Sequence, residues 1–281
     1  MSNHPSGARA PGTVVAALIV LALIALSAAG EDLSTTPRRP SEVPPKWAPM
    51  SFARIEYSSV GGLNEAYYYY EGRYWARWET DYPQADENFL FRLEELTTVH
   101  PHPEAVSRRL TDDELFDFPL IYMCDVGWMN LEEDEQAGLR EYLLKGGFLW
   151  VDDFWGPGEW TNLEIAMRQV LPGRTWEEIP NDHPIYQTVY PLDELPQVPA
   201  RDFAYLGHDP PEIHRYPYYP VTPAHLRGYF DDDGRLMVLA THNTDLGDGW
   251  EREGYGEWYF EKYSTVAYAI GANIVVYALT H

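Results

Sequence analysis

Apolar and polar positions alternate along this chain in blocks of two periods. Phe52-Ala53-Arg54-Ile55-Glu56-Tyr57 has the alternation of a first strand. Thr80-Asp81-Tyr82-Pro83 has the form of a helix start with proline in its first turn, and Phe89, Leu90, Leu93 and Leu96 then recur at helical spacing. Thr111-Asp112-Asp113-Glu114 has the form of a capping box, which predicts a short helix before Pro119. Leu120 to Cys124 reads as a buried strand. Asn130, with Glu133 three residues on, can cap a helix whose apolar face is Leu139, Tyr142 and Leu143. Lys145 falls in its last turn, and Gly146 fits the left-handed position that ends it. Phe148 to Val151 is the next strand, and Thr161 to Val170 predicts another helix.

Strand, helix, strand, helix, strand is the order of an α/β fold. It predicts a three-layer α/β/α sandwich with a mostly parallel sheet and helices on both faces. Two stretches depart from it. Gly61 to Trp78, with Tyr67-Tyr68-Tyr69-Tyr70, is too long for a tight connection and reads as a functional loop or a surface hairpin. Leu171 to about Pro223 is rich in Pro, Tyr and Asp and reads as an irregular insertion. Beyond it, Leu226–Phe230 and Leu236–Thr241 flank Asp231-Asp232-Asp233-Gly234, a hairpin signal. Tyr263 to Leu279 suits a closing helix packed on the sheet.

The first fifty residues are of another kind. Arg9 precedes an almost wholly apolar run, Val14 to Ala29, and Ser27-Ala28-Ala29 offers small residues for cleavage. Residues 1–29 are expected to be a secretory signal peptide, or else an uncleaved membrane anchor. Either would export the domain, to a periplasmic or other extracytoplasmic place. Residues 30–50, with Pro37, Pro40, Pro44, Pro45 and Pro49, read as a linker, which leaves 51–281 as one α/β domain.

Charge narrows the partners. The 44 acidic and 20 basic residues give a formal net charge of −24. Such a surface repels nucleic acid and anionic lipid, so the membrane enters only through the N-terminal segment. It suits cations, basic proteins or neutral polymers. Cys124 is the single cysteine, which excludes an intrachain disulfide and a multi-cysteine zinc site.

Candidate chemistry lies where strands end, because ligands of open α/β sheets bind at the carboxyl edge. Asp125 follows one strand, and Asp152 with Asp153 follow the next. His242, Asn243 and Asp245 follow the late strand, and Asp81 closes the long loop after the first. Clustered carboxylates suit a hard divalent cation such as Mg²⁺ or Ca²⁺, with Asp152, Asp153 and Asp245 as candidate ligands. The same three could supply an acid and a base of split pKa. Asp152 or Asp153 could equally cap the next segment. In Thr244-Asp245-Leu246-Gly247-Asp248-Gly249-Trp250-Glu251, two glycines among acids make a tight loop that could wrap a cation, and Trp250 could stack on a sugar face while the carboxylates beside it, Glu251 among them, bond hydroxyls. Trp155, Trp160 and the loop tyrosines could extend that surface. His183, in Asp182-His183-Pro184-Ile185, is a candidate ligand or base, or a loop anchor. No nucleophile elbow, phosphate loop, dinucleotide fingerprint or zinc helix is present.

Several of these segments together resemble a bacterial family, domain of unknown function 4159. They are Phe52-Ala53-Arg54, Thr80-Asp81-Tyr82-Pro83 with Asn88, Arg92-Leu93 and Leu96-Thr97, then Leu115-Phe116 with Pro119. Gly146 to Asp153, Asp245-Leu246-Gly247 with Gly249-Trp250-Glu251, and Asn273 to Leu279 complete the match. The family resembles the class I glutamine-amidotransferase-like superfold, a flavodoxin-like sandwich, and His183-Pro184-Ile185 is similar to a motif in members of that superfold. The resemblance implies the same sheet. It brings no glutaminase chemistry, because the strand that would present the nucleophilic cysteine ends in Asp152-Asp153. The expectation is a non-catalytic binding or assembly module of the cell envelope, taking a polar ligand or an envelope protein. The alternative is a carboxylate-based, divalent-metal-dependent hydrolase of a sugar-like substrate.

Overall fold

The computed structural model describes residues 50–62, 65–70, 72–205, 221 and 223–281. The expected leader, and the linker up to Met50, lie outside the described residues. The centre of the fold is a seven-stranded sheet. Its strands are β1 (Phe52–Glu56), β4 (Ser107–Arg109), β5 (Leu120–Cys124), β6 (Phe148–Asp152), β7 (Glu177–Glu178), β8 (His225–Phe230) and β9 (Leu236–His242), in the order β4-β1-β5-β6-β9-β8-β7. β4, β1, β5, β6 and β9 are parallel, while β8 and β7 close one edge antiparallel. β2 (Tyr67–Tyr70) and β3 (Arg73–Ala76) form a separate antiparallel hairpin, so the tyrosine-rich stretch is a ribbon outside the main sheet.

The central strands are apolar on both sides, as a parallel sheet covered on both faces requires. Alternate residues feed two separate cores. Phe52, Leu120, Tyr122, Phe148 and Trp150 pack with α1 (Gln84–Leu96), α5 (Leu246–Glu251) and α6 (Glu257–Thr280). Ala53, Ile55, Ile121, Leu149 and Val151 pack with α2 (Glu133–Leu144) and α3 (Gly156–Val170). The molecule is thus the expected α/β/α sandwich. Among the described residues α6 is the one helix long and apolar enough to span a membrane. Ile270, Ile274 and Val275 on it are buried in the first core, as in a helix laid on a sheet.

Local expectations hold where one residue decides them and shift where a neighbour competes. Gly146 ends α2 at φ 108°. The cap of α2 is Glu132, paired with Glu135 in a capping box, rather than Asn130, whose N–H instead bonds Ser58 O at 2.8 Å. Asp112 does not cap a helix. Its carboxylate accepts the Arg109 N–H at 2.8 Å, and Asp113–Asp117 is a single 3-10 turn. α3 begins at Gly156, five residues before the apolar periodicity suggests, because Pro157 sits in its first turn where no N–H is needed. The Leu171–Pro223 stretch contains β7, a 3-10 turn at Pro184–Gln187 and the short helix α4 (Arg201–Tyr205), and residues 206–220 and 222 of it lie outside the described set.

Candidate functional site

Three parallel strands end in residues that leave the sheet with left-handed backbone. Asp125 after β5 has φ 53°, Asp153 after β6 has φ 50°, and Asn243 after β9 has φ 61°. Asp81, just before α1, has φ 63°. Asp and Asn enter this region more readily than other side chains, and such residues gather at functional edges. The turns, with Asp245 two residues beyond Asn243, bring Asp81, Asp125, Asp153 and Asp245 to one cleft of about 370 Å³. Asp248, Glu251, Arg252 and Tyr255 join them from α5 and the turn after it. The hairpin adds Tyr68, Tyr70 and Trp75.

The acids are held in different ways. Asp125 is ion-paired to Arg77 at 2.9 Å and takes a hydrogen bond from the Thr80 hydroxyl at 3.3 Å. Asp153 accepts the Trp155 Nε1–H at 2.9 Å. Asp245 caps α5 by accepting the Asp248 N–H at 2.7 Å. Asp248 accepts the Arg201 backbone N–H and faces Arg252 Nε at 3.3 Å, and Glu251 faces the same nitrogen at 2.6 Å. Asp81 Oδ2 is buried with no hydrogen-bond partner. Gly247 leaves room for it, since a Cβ there would stand 2.9 Å from Asp81 Oδ2 and 3.6 Å from Asp245 Oδ1.

Electrostatics follow from this crowding. Burial, then the charges of Asp248, Glu251 and Asp153, push Asp81 well above the ordinary carboxylate value. Burial, then Asp153, Asp248 and Asp81, do the same for Asp245. Asp248 is raised by burial against the opposing pull of Arg252. One oxygen from each of Asp81, Asp248 and Glu251 lies within 4.8 Å of the others, a spacing that could hold a cation. The Cys124 thiol is buried and pushed well up by that burial, so it is no ready nucleophile.

The other candidates lie elsewhere. Asp152 is fully buried behind the cleft, accepting hydrogen bonds from Tyr122 Oη (2.9 Å) and from the N–H groups of Leu246 (2.9 Å) and Gly247 (3.1 Å). Thr241 Oγ1 lies 2.5 Å from its other oxygen. Burial raises Asp152 to about 7. Asn243 accepts the Gly156 N–H at 2.8 Å and donates to Pro223 O at 3.0 Å, tying two segments together. His183 accepts the Ile185 N–H at 3.3 Å and sits against Tyr277, a loop anchor. Trp250 is in the core, stacked on Phe89 at 4.3 Å, and Trp155 is buried too. Trp160 packs on Phe154 and Trp176. The cleft's aromatics are therefore Tyr68, Tyr70 and Trp75 of the hairpin with Tyr82, Phe203 and Tyr255, not these tryptophans. Asp248, Arg77 and Arg252 were not legible as cleft residues from strand endings. Their position depends on α5 and on the turn that follows the hairpin.

The raised acids set an expected pH response. Each has a folded value above its unfolded one, so its stabilising contribution is complete in acid and lost as pH rises. For Asp152 the window runs from the ordinary 3.8 to about 7. His242 and His183 oppose this, because burial lowers both, His242 to about 3, and their contribution is lost as pH falls from 6.5. The raised acids outnumber them. The thermal midpoint is expected to rise between about pH 7.5 and about pH 5.5 at constant ionic strength. Scanning calorimetry checks this, and a midpoint that falls over that interval contradicts it.

A comparison with curated proteins finds no match. The sequence pattern of DUF4159, a domain of unknown function, matches residues 52–279, nearly the whole of the described fold, and the chain belongs to that family.

Proposed function

We propose that this protein is a non-catalytic binding module of the cell envelope that holds a positively charged, polar ligand at the carboxyl edge of its sheet. The observation that carries this reading is the convergence of acids from five separate parts of the chain on one cleft. Among the described residues no ion pair joins Asp81 or Asp245 to a base, although Arg54 and Arg252 act on Asp81 electrostatically, and an incoming cation would supply such a pair. The net charge of −24 favours approach of such a ligand. The envelope location rests on the apolar run from Val14 to Ala29. The triad Asp81, Asp248 and Glu251 favours a second reading, a divalent metal ion and with it a carboxylate-based hydrolase. Arg252 already lies against Asp248 and Glu251, which weighs against that reading.

The test is calorimetric titration at low ionic strength with Ca²⁺, Mg²⁺, Mn²⁺ and 1,4-diaminobutane. Saturable binding of at least one is expected, weakened about tenfold or more in Asp153→Asn, since one charge at close range is worth about 1.4 kcal/mol or more in a dry site. No saturable heat from any of the four would rule the reading out. Ca²⁺ or Mn²⁺ heat without any diamine heat would favour the metal-dependent alternative.

A further inference from the structure

We infer that the group this cleft takes is the basic side chain, arginine or lysine, of a partner protein. This rests on the cation-binding reading above and narrows it.

Size argues first. A cleft of about 370 Å³ lies in the range of sites that hold small organic groups. A bare ion would need only a small fraction of that, since one water occupies about 30 Å³. Composition argues next. Seven carboxylates line the cleft against three guanidinium groups, an excess of four acids. The rest of the lining includes aromatic rings, a combination that suits an organic cation better than a hydrated metal, because a ring face attracts ammonium and guanidinium groups. The chain itself uses these rings in that way. Arg73 lies over Trp75 at 3.0 Å, Arg201 over Tyr255 at 4.5 Å, and Arg77 over Tyr68 at 5.5 Å.

The surroundings argue for a protein rather than a free amine. Tyr70 and Tyr255 line the cleft and are also 40% and 49% exposed. The register of the hairpin pairs Tyr69 with Tyr74, and both are exposed, Tyr69 at 65%. A charged slot bordered by exposed tyrosines has the layout of an anchor pocket with an interface around it, where tyrosine gives broad contact for little entropy. Deep in the slot an arriving ammonium or guanidinium would favour ionisation of Asp81 and Asp245, which burial and the neighbouring acids hold back in its absence. Asp202, its side chain 74% exposed and paired to Arg201 at 2.8 Å, stands at the rim.

The experiment titrates the whole protein with three blocked tripeptides whose central residue is arginine, lysine or citrulline, the last an uncharged analogue of arginine. Binding is followed by calorimetry and by perturbation of amide NMR signals. The arginine or lysine peptide is expected to bind about tenfold or more tighter than the citrulline peptide. Asp202→Lys and Tyr255→Ala, both on the exposed rim, are expected to weaken it several-fold, and Tyr255→Phe to restore it. Equal binding of the citrulline peptide overturns the inference. So does absence of peptide binding while Ca²⁺ or 1,4-diaminobutane still binds, which leaves the cation-binding reading standing. Absence of binding by every cation removes both. Asp245→Asn adds a deeper probe in which the charge is lost and the shape kept, with near-ultraviolet circular dichroism to report its fold.

Discussion

Asp152→Ala is expected to destabilise the fold by about 3–5 kcal/mol, while Asp152→Asn costs less than about 1 kcal/mol. The difference follows from where the proton sits. Asp152 has no exposure, and one oxygen accepts from Tyr122 Oη and from two backbone N–H groups at the start of α5. Alanine would leave all three donors buried without an acceptor. The other oxygen faces Thr241, whose single hydroxyl proton has a second acceptor in Val151 O at 3.1 Å, while Trp150 Nε1 donates to the same hydroxyl at 3.1 Å. A protonated Asp152 that donates to Thr241 satisfies every partner at once. Its value of about 7 agrees with that arrangement. Asparagine reproduces the pattern, carbonyl toward the amides and NH₂ toward Thr241. Urea denaturation of the two variants at about pH 7 decides the matter, and an asparagine variant as unstable as the alanine one would show that the site needs the anion.

Arg54→Met is the second large effect, a loss of about 3–5 kcal/mol, because it strands a buried carboxylate. Arg54 is fully buried in β1 and forks onto Asp86, at 2.5 and 3.4 Å. Its remaining nitrogen donates to Thr80 O at 2.7 Å and Trp78 O at 3.3 Å. One guanidinium therefore ties the first strand to α1 and fixes the segment that presents Asp81 to the cleft. Removing Asp86 as well, in Arg54→Met/Asp86→Leu, is expected to recover a good part of the stability, since the orphaned charge goes with it. Ligand binding should not recover with it, because the Thr80 and Trp78 carbonyls still lack the Arg54 donor. Denaturation of the single and double variants, with cation titration of each, checks both halves.

These two residues also mark how far the sequence could be read. The sheet was legible because its buried strands are short apolar runs and because Gly146 ends a helix at a positive φ that other residues rarely adopt. Asp125, Asp153 and Asp245 were legible as strand-end residues. That Asp153 lines the cleft while its neighbour Asp152 lies behind it depends on the left-handed turn after β6, which no local pattern gives. Arg54 looked like the polar partner in an alternating strand. Its burial depends on Asp86, thirty-two positions on, and a charge that finds its mate at such distance leaves no periodic trace. The segment that holds Asp248 read as a loop, and its helix, with Arg252 just beyond, was hidden for a related reason. The six-residue helix that carries Asp248 starts on the Asp245 cap, and a single capped turn has too few residues to show a period.

The left-handed aspartates carry a wider consequence. Glycine would adopt φ values of 50–63° without strain, and at Asp81 it would also remove a buried oxygen with no partner. A chain shaped only to persist would have drifted toward glycine there. Keeping a carboxylate at that place trades durability for capability. Engineers who seek a hardier version of this protein will find a gain at Asp81, and that gain should dull whatever the molecule is for.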